Sequence, residues 1–127
     1  MSNVAASPQA YRRTAVMAAT RGQLVVMLYD GARRFLRQAE AAMIEGEIER
    51  THNTMRRAEL IIAHLDGTLD HSQGELADHL HAIYDYCLRR LLTARIERAP
   101  EIVEEVSGLL GELRDAWAQV AAEDEGA

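Results

Sequence analysis

The run from Thr20 to Phe35, TRGQLVVMLYDGARRF, constrains this chain more than any other stretch. Thr20 can cap a helix, and Gln23, three residues on, can reach back to it, which is the capping-box spacing. Leu24 to Tyr29 follow as an unbroken apolar run, and the pattern opens into Ala32, Phe35, Leu36, Ala39 and Met43. On a helix, Leu24, Leu28, Phe35 and Ala39 fall on one line, and Val25, Tyr29, Leu36 and Met43 on the next. A helix apolar over so wide an arc is normally covered from two sides, by a bundle or by a bundle plus a ligand. The spacing predicts a helix from Arg21 to Ile44.

The same period recurs three more times. Gly46 marks a turn, and a second helix is expected from Glu47 to Leu69. Its Ile48, Met55, Ile62 and Leu69 repeat as a heptad seam with Thr51, Ala58 and Leu65 between them. Asp66-Gly67 frays its end, and Asp70-His71 leads to a second capping box, Ser72 with Glu75. A third helix then runs from Gln73 to Ile96, with Leu76, Leu80, Ile83, Cys87, Leu91 and Ala94 as its stripe, widened by Tyr84, Leu88 and Leu92. Pro100 stands where a first-turn proline belongs, and Glu101, Glu104 and Glu105 favour the helix start. The fourth helix presents Ile102, Val106, Leu109, Leu113, Ala116 or Trp117, and Val120.

Residues 1–19 lack a sustained period and read as a mobile arm or short docked helix, containing Tyr11, Val16 and Met17. Residues 123–127 read as an acidic, disordered tail. Four rods of roughly 33–38 Å, joined by connections of a few residues, make sequential neighbours antiparallel. The expected architecture is all-α: an antiparallel up-down four-helix bundle over residues 20–122 behind a short N-terminal arm.

Composition agrees and narrows the function. Aromatics are only 5% and prolines only 2, which disfavours a turn-rich β protein, while Ala, Leu, Glu and Arg favour helix. A formal charge of −6 argues against nucleic-acid binding, which rests on neutralising phosphates. Cys87 is the single cysteine, so no intrachain disulfide is possible and a reducing compartment is expected. The longest apolar run is too short for a membrane span and no signal-peptide pattern opens the chain, so a cytoplasmic protein is expected.

No constellation carries chemistry. A di-iron bundle needs inward glutamates and a Glu-x-x-His on each of two helices. Here Glu49 to His52 is a single such spacing and lies off the apolar seam. His79 and His81 point apart on a helix, and His64 and His71 stand alone, so these histidines read as solvated or structural. Cys87 reads as a small buried thiol. Gly67, Gly74 and Gly108 are isolated and form no phosphate loop. The arginine pairs at 12/13, 33/34, 56/57 and 89/90 read as solvated faces, pairing with Glu40, Glu49, Glu59, Asp85 or Glu97. The reading is a protein that is not an enzyme and uses no metal or cofactor. What remains is surplus apolar surface, which is either a tight core or a set of grooves for a partner helix. Periodicity leaves both open.

The order of the blocks is distinctive. Tyr11 is followed by Thr20, Gln23 to Ala32, Phe35-Leu36 and Ala39. Arg57-Ala58, Ile61-Ile62 with Leu65, and Gly74-Glu75 with Ala77 come next. Tyr84-Asp85-Tyr86, Arg89-Arg90-Leu91, Glu105-Val106, Leu109-Leu110, Glu112-Leu113-Arg114 and Ala116-Trp117 complete the series. In this order the chain resembles the FliS family of flagellar secretion chaperones over about residues 11 to 120. It departs from the family pattern at Arg21, at Cys87, and at Arg95 and Arg98-Ala99 before the fourth helix. The resemblance implies a cytoplasmic chaperone that binds the disordered C-terminal segment of flagellin, prevents premature polymerisation, and delivers the complex to the type III export gate protein FlhA. It places client helices in grooves on helices two, three and four. By position, the implied flagellin-binding residues are Met55, Ile62, Leu65, Leu80, Ile83, Tyr84, Cys87 and Leu91, with Tyr11 on the arm as a lid residue. A self-associating bundle whose groove is a homodimer interface and a metal-binding bundle are the alternatives.

Overall fold

A computed structural model describes residues 20–126, apart from the side chains of residues 73 and 124–126. The helices are α1 (Arg21–Ile44), α2 (Ile48–Gly67), α3 (Glu75–Glu97) and α4 (Pro100–Gly126), with one 3-10 turn at His71–Gln73. No strand occurs among the described residues. The arm at residues 1–19, including Tyr11, lies outside them.

The cap at the start of α1 forms as its residues dictate. Thr20 Oγ1 accepts from the Gln23 amide at 3.1 Å, and Gln23 Oε1 accepts from the Thr20 amide at 2.9 Å. Gly46, at φ 78°, turns the chain, and the Glu47 amide donates back to the Ala42 carbonyl at 2.9 Å. Thr51 and Thr54, buried on α2, satisfy their hydroxyls on the carbonyls of Glu47 and Arg50, both at 2.7 Å.

The second capping box does not form. Asp70 Oδ1 accepts from both the amide (3.0 Å) and the hydroxyl (2.6 Å) of Ser72, which folds residues 71–73 into a single 3-10 turn. Gly74 then adopts φ 65°, a conformation a continuing helix cannot hold, so α3 begins at Glu75 and not at Gln73. At its far end Arg98 takes φ 52°, the left-handed position usually given to glycine. The Ala99 amide closes that turn on the Ala94 carbonyl at 3.0 Å, and Pro100 opens α4 directly. α4 continues through Gly126, so residues 123–126, expected as a disordered tail, extend the helix. The alanine-rich stretch before them contains no breaker.

The four helices run up and down in sequence, and α1 and α3 occupy opposite corners. α1 packs along its length against α2 and α4, whereas α3 touches its two neighbours more sparsely. Tyr29, Leu36, Met55, Ile62, Leu91 and Leu110 are wholly buried and form the centre of the core. Four stripe positions fall outside it: Ile48, Leu76, Leu92 and Val120 are exposed. The core face of α4 is rotated toward Val103 and Leu110, leaving Leu109 and Leu113 half-buried.

Candidate functional site

The structure separates core from groove where periodicity did not. Met55, Ile62, Cys87 and Leu91 have no exposed surface, and Leu65, Leu80 and Tyr84 have almost none. These seven close the interior of the bundle and line no open surface in this conformation. Ile83 is half-buried and differs from them. It meets Ala82 and Tyr86 of α3 and Leu109, Glu112 and Leu113 of α4 around an open hollow of about 310 Å³.

This groove follows from the unequal packing of the helices. Small residues let α4 approach α1 closely: a side-chain carbon on Gly22 would come within 3.0 Å of Ala121 Cβ. On its other flank α4 carries Leu109 and Leu113, which line the hollow against α3. Leu76 lies seven residues before Ile83 on α3, and Val120 lies seven after Leu113 on α4. Two turns on, in antiparallel helices, both extend the same apolar line toward one end of the bundle. Leu76 is 57% exposed and Val120 47% exposed, so that end is open.

The opposite end is tied shut. Tyr86 donates from its hydroxyl to Glu105 Oε2 at 2.6 Å, and Arg90 donates from Nε and Nη2 to Glu105 Oε1 at 3.0 and 2.9 Å. The Tyr86 hydroxyl and the Arg90 guanidinium hold the Glu105 carboxyl below its ordinary pKa, and the same carboxylate pushes the Tyr86 phenol up. Arg90 therefore pairs across α3 and α4, and Arg95 pairs with Glu59 of α2 at 3.0 Å, while Arg89 pairs with Asp85 on its own helix at 3.1 Å.

Sequence reasoning missed Ala82, Tyr86 and Glu112 as groove residues and placed Leu109 and Leu113 on a core stripe. The available signal was Tyr86 itself, a large aromatic three residues from Ile83 and so on its face. Glu112 gave none.

The groove can bind apolar side chains and little else. No group of three or more His, Cys, Asp or Glu among the described residues is arranged to hold a metal ion. Burial pushes the Cys87 thiol up to about 11, so it is neutral at physiological pH. No helix of the described residues is long and apolar enough to cross a membrane.

Comparison with known proteins identifies the family. The family described as flagellar protein FliS matches residues 3–124. The flagellar secretion chaperone FliS of Bacillus subtilis (strain 168) is 38% identical over 110 residues, covering 87% of this chain and 82% of that protein. Its namesake in Salmonella typhimurium (strain LT2) is 36% identical over 122 residues, 94% and 90% of the two chains. That of Escherichia coli (strain K12) is 38% identical over 106 residues, 82% and 78%. A match that spans nearly the whole chain, on a four-helix bundle with an open apolar groove, means that this protein belongs to the FliS family.

Proposed function

We propose that this protein is a cytoplasmic export chaperone that holds the disordered C-terminal segment of flagellin, keeps it from polymerising, and delivers it to the type III export apparatus through FlhA. The observation that carries the reading is the groove between α3 and α4, apolar but for Glu112 and open at the Leu76–Val120 end. Each apolar side chain seated there contributes about 1.5–3 kcal/mol. Ordering a disordered client costs roughly 1–2 kcal/mol per residue. A hollow that admits only a few side chains therefore serves as an anchor, and the client needs further contacts along the bundle and its own helix formation. Ile83 is the direct client contact among the expected residues, and Met55, Ile62, Leu65, Leu80, Tyr84, Cys87 and Leu91 support the groove from the core.

The test is titration of a peptide of flagellin's C-terminal segment into the full chain, followed by calorimetry and circular dichroism. A one-to-one complex with a gain in helix is expected. Ile83→Asp, at a half-exposed position, should fold and bind at least tenfold more weakly, because a client would bury the carboxylate unpaired. A folded Ile83→Asp chain that binds the peptide as well as wild type would remove the groove from the site. Self-association that competes with the peptide would instead make the groove a homodimer interface.

A further inference from the structure

The side of the bundle away from the α3/α4 groove has a different chemistry. On α1, Met27, Gly31, Arg34, Gln38 and Ala41 recur at three- and four-residue intervals, and on α2 so do Arg50, Asn53, Arg57, Leu60 and His64. Such spacing puts each set on one line. The two lines flank the seam between the helices. A side-chain carbon on Gly31 would lie 3.6 Å from Ile61 Cδ1 and 3.7 Å from Arg34 Nη2. One turn along, the Arg57 guanidinium lies over the Phe35 ring, 5.7 Å from its centroid. Arg34 and Arg57 are both exposed and border the same α1–α2 seam.

Neither arginine has a carboxylate within ion-pair distance among the described residues. Asp30, one turn before Arg34, pairs with Arg114 of α4 at 2.9 Å instead. Neither line contains an Asp or Glu, although the chain has 20 of them. Of the other acids on these two helices, Glu59 pairs with Arg95 of α3, while Glu40 and Glu49 lie off both lines. Arg37 and Arg56, also exposed, have no ion pair either; what sets Arg34 and Arg57 apart is that they flank the seam where α1 meets α2, with Arg57 held over the Phe35 ring.

We propose that the α1/α2 face is a second docking surface, which takes an acidic helix of a partner protein with a line of carboxylates beside a line of apolar residues. The guanidinium fork matches a carboxylate in two parallel hydrogen bonds. Stacking on Phe35 orients Arg57 before the partner arrives, which lowers the ordering cost of binding. Leu60 and Met27 supply exposed apolar contact on either side of the seam. Two free arginines fall short of the roughly four to eight basic residues that recognise anionic lipid, and the net charge of −6 opposes a membrane or nucleic acid at longer range. Because this face lies across the bundle from α3 and α4, its partner and a groove occupant bind together. The proposal stands independently of what the groove holds.

The probe is an alanine-based helical peptide carrying a line of glutamates beside a line of leucines, titrated into the full chain at about 0.15 M salt, where long-range charge effects are screened. A control peptide has glutamine for glutamate. Wild type should bind the acidic peptide and not the control. The pair Arg34→Ala with Arg57→Ala should weaken binding by about tenfold or more. Arg56→Ala, an exposed arginine off both lines, and Ile83→Asp should leave it within about twofold. All three changes are at solvent-reaching positions, and circular dichroism checks each fold. As an independent arm, Arg34→Glu with Arg57→Glu should bind a version of the peptide with lysine for glutamate. Equal losses for Arg56→Ala and the Arg34/Arg57 pair, loss on Ile83→Asp, or no binding by wild type overturns the proposal. So does capture on phosphatidylserine–phosphatidylcholine vesicles that depends on Arg34 and Arg57 while the peptide fails to bind.

Discussion

Tyr29 of α1 and Tyr84 of α3 meet oxygen to oxygen, 2.5 Å apart, across the diagonal of the bundle. Both phenols are closed off from solvent in an otherwise apolar interior, and this contact joins the two helices that stand on opposite corners. The two hydroxyls pair with each other, and Trp117 also reaches Tyr29. Removing either hydroxyl takes a hydrogen-bond partner from a buried polar group, at a cost of about 1–3 kcal/mol. Tyr29→Phe should destabilise by that amount, and Tyr84→Phe by less, because Trp117 still reaches the Tyr29 hydroxyl. The double variant should lose clearly less than the sum, as a double-mutant cycle in denaturant would show. Additive losses would mean that the hydroxyls are not coupled.

Burial also sets an alkaline limit. Cys87 is raised from 9.0 to about 11, and desolvation raises Tyr29 and Tyr84 as well. These groups ionise more readily in the unfolded chain, so the stability they contribute is present below pH 9.0 and is lost as pH rises through about 11. Denaturation midpoints should be flat up to that lower value and then fall. Cys87→Ala should reduce the thiol's part of the fall. In the native protein at pH 8 the thiol should resist iodoacetamide, and rapid labelling of folded protein would contradict its placement.

His81 and Asp66 link α3 to α2, with Nδ1 2.7 Å from Oδ1. The carboxylate raises the imidazole pKa above 6.5, first by the hydrogen bond and then by its charge. A raised histidine contributes stability that is complete below 6.5 and disappears as pH rises through its folded value. Proton NMR should find His81 titrating above this reference. Asp66→Asn should return it toward the reference, and an unchanged titration would break the assignment. The pair is exposed, so melting temperature should move little.

Two glycines of α4 should respond in opposite ways. Gly108 is exposed and an added side-chain carbon meets nothing within 4 Å, so Gly108→Ala should stabilise by roughly 0.5–1 kcal/mol through lower backbone entropy in the unfolded chain. At Gly111 the same carbon would sit 2.8 Å from Arg33 Cζ. Arg33 is tethered by its Nε–H to the Ser107 carbonyl at 3.0 Å, so it must give up that bond to move. Gly111→Ala should therefore gain nothing in thermal melts. A gain equal to that of Gly108→Ala would show that the arginine moves freely.

The bundle was largely legible in the sequence because its signals are local. Thr20 with Gln23, Gly46, and Pro100 each fixed a boundary through groups at most a turn away. Where two local signals competed the reading failed: Ser72 could cap with Glu75, but Asp70 was nearer and Gly74 favoured a left-handed turn. The site was much less legible. Ile83 and Cys87 share one stripe four residues apart, yet one reaches the groove and the other is sealed, because the distinction depends on how far α3 stands from α4. The groove's other wall, Leu109 and Leu113, and the tie from Glu105 to Tyr86 and Arg90 both involve another helix. Periodicity within one segment carries no information about it.

The close packing of α1 against α4 has a consequence for how the protein is made. α1 leaves the ribosome first of the four helices and α4 last, and the two are intimate neighbours in the finished bundle. α1 and α2 can pair early through the turn at Gly46, but the flank of α1 that α4 covers stays bare while the rest is translated. At ~5–20 residues per second that interval is on the order of ten seconds. During synthesis this protein is itself a chain with an uncovered apolar arc, and it becomes self-sufficient only when its last helix arrives.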